Sequence, residues 1–183
     1  MDLQRESVNV VAIEIKQKCI KMDLPNGHTV DFLPDIFEEI LKWLQVEAYM
    51  LEAGGFLVGY RDSNSGNVSI DGLSQPYPLD IRNRIQFIIR DPQHRVFLNK
   101  SRSKKSFYMG VWHTHPQIIP EPSSIDWQDW RETVETDITA CEYVFFLIAG
   151  TKGARVWVGD LKSKKITEIF ECEKEGDLYK KAK

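Results

Sequence analysis

At 183 residues, 42% of them apolar and 28% charged, the chain has the size of one soluble globular domain and enough apolar material to bury a core. A formal net charge of -3 argues against nucleic acid as the main partner, since such proteins carry a strongly basic face. The odd, widely spaced cysteines Cys19, Cys141 and Cys172 argue against a disulfide framework and for a reducing, cytoplasmic setting.

The first residues carry two acids and one arginine before any apolar stretch, so no signal peptide is expected. The longest apolar run, Tyr143 to Gly150, is too short to cross a bilayer, so no membrane partner is expected. Val8 to Ile15 is rich in Val and Ile and predicts a strand. A second strand is expected over Lys18 to Asp23, then a Pro25-Asn26-Gly27 turn and a return strand over Thr29 to Phe32. Pro34-Asp35 opens a helix in which Ile36, Phe37, Ile40, Leu41 and Leu44 recur at helical spacing.

Gly54 to Gly59 predicts a buried strand, Ser63 to Gly66 a turn, and Val68 to Leu73 another strand. Gln75 to Asp80 predicts a loop, Ile85 to Ile89 a strand, Pro92 to Lys100 a helix and Lys100 to Lys105 a basic loop. Phe107 to His113 predicts a strand, Gln117 to Pro122 a loop and Ser123 to about Thr139 a helix. Three late strands follow at Glu142 to Ala149, Ala154 to Gly159 and Lys165 to Glu171. Residues 1–172 are expected to form one domain, with 173–183 a charged tail that frays. The interleaving of strands and helices implies a mixed sheet covered by helices.

The chemistry is concentrated in His113-Thr114-His115-Pro116, followed after six residues by Ser123-Ser124-Ile125-Asp126. Two histidines one residue apart on an extended segment project to the same side. Neutral imidazoles with one carboxylate form a three-ligand set for zinc that leaves a fourth position for water, the pattern of a catalytic site. A base outside the ligand set must take the proton of that water. Glu52, just before the Gly54-Gly55 strand, suits the role because apolar surroundings raise a carboxyl pKa.

Other readings of the same residues stand beside these. Ser123-x-x-Asp126 is also a capping box, and a carboxylate turned back to the N-cap amide competes with metal binding. Asp129 is then the reserve ligand, and Glu47 is the rival to Glu52. The Gly54-Gly55 pair also fits close strand packing alone. Trp127 and Trp130 fit either a groove or the core. Lys100, Arg102, Lys104 and Lys105 fit either steering of an acidic tail or plain solvation. Cys141 reads as a core residue, and His28 and His94 as surface residues.

Glu52-Ala53-Gly54-Gly55-Phe56-Leu57-Val58-Gly59, Trp112-His113-Thr114-His115-Pro116 and Ser123-Ser124-Ile125-Asp126 together resemble the signature of the JAMM (MPN-plus) metallopeptidases. The resemblance covers roughly Phe32 to Gly159 in element order. It implies a single-domain cytidine-deaminase-like (MPN/JAB) α/β fold and hydrolysis of an isopeptide or peptide bond after the C-terminus of a conjugated protein. It also implies Zn2+ held by His113, His115 and Asp126, Glu52 as general acid/base, and Ser123 holding the developing oxyanion.

Gly110 to Pro116, with Pro120, Pro122 and Ser123, is most similar to the deconjugating peptidases of CBASS antiphage operons. So are Phe32 to Glu47 and Arg82-Asn83-Arg84 with Phe87. That branch implies a protein partner, the C-terminal tail of a conjugated cGAS-like nucleotidyltransferase. A bacterial ubiquitin-like protein as the conjugate, and a non-catalytic MPN scaffold subunit, are the alternatives. The long substrate-binding insertions of eukaryotic deubiquitinases have no room here. A zinc deaminase needs HxE with PCxxC, and neither motif is present; HExxH is also absent.

Overall fold

The computed structural model describes residues 19–172. The strands are β1 (Ile20–Asp23), β2 (Thr29–Phe32), β3 (Gly54–Arg61), β4 (Val68–Leu73), β5 (Ile81–Arg82), β6 (Phe87–Ile88), β7 (Phe107–Thr114), β8 (Tyr143–Ala149), β9 (Ala154–Asp160) and β10 (Ile166–Ile169). The helices are α1 (Pro34–Leu41), α2 (Gln93–Ser103) and α3 (Ser124–Thr136). Eight strands form one mixed sheet in the order β1-β2-β4-β3-β7-β8-β9-β10. Within it β2 runs parallel to β4 and β7 parallel to β8, and the remaining neighbours are antiparallel. Beyond β10 the chain reaches β1: the Asp23 amide donates to the Phe170 carbonyl at 3.1 Å and the Cys172 amide to the Lys21 carbonyl at 3.0 Å. The two edges of the sheet therefore touch, leaving no long open edge there.

Strand alternation sorts the core into two layers. In the fully buried β8, Tyr143, Phe145, Leu147 and Ala149 face the larger cluster, which also takes Ile36, Phe37 and Ile40 of α1. Val144, Phe146 and Ile148 point the other way, toward Trp130 and Val134 of α3 and Trp157 of β9. This is the period of two expected of a strand buried on both faces. Trp130 stacks on Phe146 at 4.7 Å between ring centroids, and Trp127 meets Trp130 edge-on at 5.2 Å. Both tryptophans thus serve packing, and they fix α3 against the sheet.

The expected mixed α/β architecture is present, with several local corrections. Helix α1 stops at Leu41 because the Lys42 and Trp43 amides bond back three residues, to the Glu39 and Ile40 carbonyls; Leu44 is buried without being helical. Lys100 to Ser103 belong to the last turn of α2, where Lys100 and Arg102 complement the helix dipole. They lie at the opposite end of β7 from His113, which removes the basis for steering toward the site. The strand expected over Ile85 to Ile89 shrinks to β6, paired with a β5 that the sequence does not announce. Helix α3 ends at Thr136, where Asp137 turns extended and accepts the Tyr108 hydroxyl. The strand expected at Val8 to Ile15 and the tail at 173–183 lie outside the described residues.

His94 is the clearest correction. Flanking arginines make it look like a surface residue, yet it is buried. Its Nδ1 lies 2.7 Å from Ser74 Oγ and its Nε2 2.8 Å from Asp80 Oδ2. Asp80 also accepts the amides of Tyr77, Arg90 and Asp91. The network satisfies both ring nitrogens and pins the 74–91 segment. His28 is half-buried rather than exposed.

The Gly54-Gly55 pair does mark a close approach. A Cβ on Gly55 would stand 2.1 Å from the Ser74 carbonyl oxygen, which already accepts the Trp112 indole N–H at 2.9 Å. Gly55→Ala is expected to destabilise the fold by about 1–3 kcal/mol through overpacking, read as a lowered denaturation midpoint. An unchanged midpoint would show that β3 and Ser74 separate freely.

Candidate metal centre

Strand β7 carries the histidine pair to the end of the sheet. Its register sets His113 opposite Gly54 of β3 and Ile148 of β8. His113 shares a face with Val111, which packs on the cluster beneath α3. His115, just past the strand, repeats that side, and its amide is held by the Ala149 carbonyl at 2.9 Å. The chain then loops back to Ser123, the N-cap of α3, and the first helical turn delivers Asp126 over the histidines.

The capping box and the ligand role do not exclude one another. The Asp126 amide donates to Ser123 Oγ at 3.1 Å, and the Ser123 amide donates to Asp126 Oδ2 at 2.6 Å. Asp126 Oδ1 meanwhile faces His113 Nε2 at 3.1 Å. One carboxylate thus closes the helix and faces the histidines. Ser123 Oγ accepts from Asp126, which leaves its hydroxyl proton free to donate elsewhere.

His113 Nε2 and His115 Nε2 lie 3.0 Å apart, and His115 Nε2 is 3.5 Å from Asp126 Oδ2. Donors about 2.0–2.1 Å from a tetrahedral metal stand about 3.3 Å from one another. The His113–His115 and His113–Asp126 Oδ1 separations are close to that length, and one ligand atom from each of the three residues lies within 4.8 Å of the others. His115 Nδ1 points to Gln117 Oε1 at 3.4 Å. Gln117 Oε1 can only accept, so Nδ1 is the donor there, and Nε2 is left to face the centre, as a donor to Asp126 when protonated and as a lone pair when the ring is neutral. Gln117 had no signal in the sequence, since nothing marks a glutamine two residues after a histidine.

Glu52 stands just outside this cluster, with Oε1 3.7 Å from His115 Nε2. It is buried, whereas its rival Glu47 is exposed. The Glu52 amide donates to the Asn83 carbonyl at 2.8 Å, and its carbonyl accepts Arg82 Nε at 2.7 Å. Asp129, a turn after Asp126, is not part of the ligand cluster.

The charges agree with the geometry. Burial pushes the Glu52 carboxyl above its usual range, and the two histidines only partly offset this. Burial opposes the charge on Asp126, yet hydrogen bonds from His113 and His115 hold its carboxyl far below the usual range. Burial also opposes protonation of His115, but the Asp126 hydrogen bond and the negative charges of Asp126 and Glu52 raise its pKa. The cluster therefore favours a cation at its centre, a proton or a metal.

Residues 34–160 match the family of prokaryotic homologs of the JAB domain. The chain belongs to that family. It is also 29% identical over 141 residues to a CD-NTase/cGAS isopeptidase of Vibrio cholerae serotype O1, covering 75% of this chain and 85% of that protein. To a CD-NTase/cGAS isopeptidase of Escherichia coli it is 29% identical over 137 residues, covering 73% and 82%. Among solved structures, a protein from Desulfitobacterium hafniense matches with a TM-score of 0.50 at 18% identity, over 78% of this chain and 88% of that one, which shows a shared fold. This member of the family thus presents a His-His-Asp cluster able to hold a metal, with a buried glutamate beside it. Among the described residues, no helix is long and apolar enough to cross a membrane.

Proposed function

We propose that the chain is a cytoplasmic, zinc-dependent isopeptidase that hydrolyses the bond after the C-terminus of a protein conjugated to a target. The conjugated protein is a cGAS-like nucleotidyltransferase of a CBASS antiphage system. The observation that carries this reading is the convergence of His113, His115 and Asp126 with Glu52 held beside them but outside the ligand set. The two relatives named CD-NTase/cGAS isopeptidase support the substrate class.

His113, His115 and Asp126 would hold the zinc, two imidazoles and a carboxylate being a suitable donor set. When bound, zinc supplies Lewis-acid chemistry, polarising a water and the scissile carbonyl. Glu52 accepts the proton of the attacking water and passes it to the leaving amine as the C–N bond breaks. Its raised pKa suits both halves of that transfer. Ser123 donates its free hydroxyl proton to the oxygen on which negative charge develops.

The test is to purify the chain, measure its metal content, and offer two conjugates: a cGAS-like nucleotidyltransferase and a bacterial ubiquitin-like protein, each joined through its C-terminus to a lysine. About one zinc per chain and release of the nucleotidyltransferase with a free C-terminal carboxylate are expected. Cleavage of the ubiquitin-like conjugate alone would move the substrate to that class. A metal-loaded chain that cleaves neither would overturn the peptidase reading.

A further inference from the structure

The residue between the two metal-facing histidines has a part of its own. Strand alternation turns Thr114 away from His113 and His115 and into the interior, where it is fully buried. Its amide donates to the Ala53 carbonyl at 2.8 Å, and its Oγ1 accepts the Ala53 amide at 3.0 Å. The Thr114 hydroxyl donates onward to Gln45 Oε1 at 3.1 Å. Gln45, also buried, spends its amide nitrogen on the carbonyls of Met50 at 3.3 Å and Arg84 at 3.0 Å. Ala53 is the neighbour of Glu52, and Arg84 lies between β5 and β6, beside the Arg82 and Asn83 that grip the Glu52 backbone.

From this arrangement we infer that Thr114 and Gln45 are positioning residues that fix the distance of Glu52 from the histidine pair. The inference rests on the reading of Glu52 as the base. The strand that carries His113 and His115 is bonded, through the residue between them, to the residue next to Glu52. Gln45 then ties the 46–52 segment and the β5–β6 turn to the same point. A fully satisfied buried polar network specifies one geometry where apolar packing would allow several. Thr114 has one hydroxyl proton, and it is spent on Gln45, so no second donor remains for an alternative arrangement. Because neither residue faces the histidines, the effect on catalysis is transmitted through the backbone of residues 52 and 53. A displacement of about 1 Å at a catalytic group is enough to cost about 100-fold in rate.

The experiment compares Thr114→Val, Thr114→Ser and Gln45→Met with the wild-type chain. Metal content, kcat and KM on the conjugate, and hydrogen exchange at the Ala53 amide are measured for each. Thr114→Val is expected to keep its metal and its KM, to lose about 10–100-fold in kcat, and to expose the Ala53 amide to exchange. Thr114→Ser keeps the oxygen and is expected to restore both kcat and Ala53 protection. Gln45→Met is expected to lower kcat while Ala53 stays protected, and it carries the test if Thr114→Val does not fold.

Wild-type kcat in a folded Thr114→Val or Gln45→Met overturns the inference. A Thr114→Ser as slow as Thr114→Val, or a defect confined to metal content, also overturns it. Should the wild-type chain cleave no conjugate, the peptidase reading fails, and the Ala53 exchange pattern still reports on the latch. Equal protection in the serine and valine variants would then refute it.

Discussion

Glu52→Gln is expected to lower kcat on a conjugate by about 10²–10⁴-fold while leaving metal content at the wild-type level. Glutamine keeps the size and the backbone bonds to Arg82 and Asn83 but has no carboxylate to take a proton. Stability should not fall. Burial raises the folded-state pKa of Glu52, so its stabilising contribution is complete only below the ordinary carboxylate pKa. That contribution is lost as pH rises through the folded value. Above the folded value the ionised Glu52 works against folding, and the neutral amide removes that penalty. Kinetics, metal analysis and thermal denaturation on one preparation check all three statements. Cleavage at the wild-type rate would remove Glu52 from the chemistry, and loss of metal would make it a ligand.

The grouping of the candidate residues was largely legible in the sequence because they sit where strand and helix periodicity place them. The spacing of His113 and His115 uses the two-residue alternation of β7, and Ser123 to Asp126 is one turn at a helix start. The capping box posed a conflict that only the atoms resolve: Asp126 Oδ1 faces His113, while Oδ2 accepts the Ser123 amide and still lies 3.5 Å from His115. What the sequence could not reveal depends on contacts between distant segments. Gln45 lies beyond the apolar stripe of α1 with nothing to distinguish it from a surface glutamine, and His94 sits among charges yet turns inward to Ser74 and Asp80. The fold followed the same division. Strands buried on both faces, such as β8, announced themselves, whereas the β5–β6 hairpin exposes Ile81, Ile85 and Ile88, so apolar content there does not report burial.

Acid is expected to strip the metal, and the proton responsible belongs to His115 rather than to Asp126. A ligating imidazole must be neutral. The pKa of His115 is raised by its bond to Asp126 and by the charges of Asp126 and Glu52, against the effect of burial. Below that raised value, metal uptake has to expel a proton, so apparent affinity falls by up to about tenfold per pH unit for each proton displaced. The Asp126 carboxyl, held far below its usual range by the histidines, stays ionised throughout and adds no break of its own in mildly acidic solution.

Competition against a chelator of known affinity, at a series of pH values from neutral to mildly acidic, measures the slope. Constant affinity across that range would contradict the assignment. Glu52→Gln supplies an internal control. Removing one of the charges that raise the His115 pKa should move the onset of metal loss to lower pH, even though Glu52 lies outside the His113, His115 and Asp126 cluster. The metal-free protein should show the opposite preference. The His115 contribution to its stability is complete below the ordinary imidazole pKa and is lost as pH rises through the raised one. The Asp126 contribution is present above the ordinary carboxylate pKa and is lost only as pH falls through its depressed value. Proton and metal thus compete for one cluster.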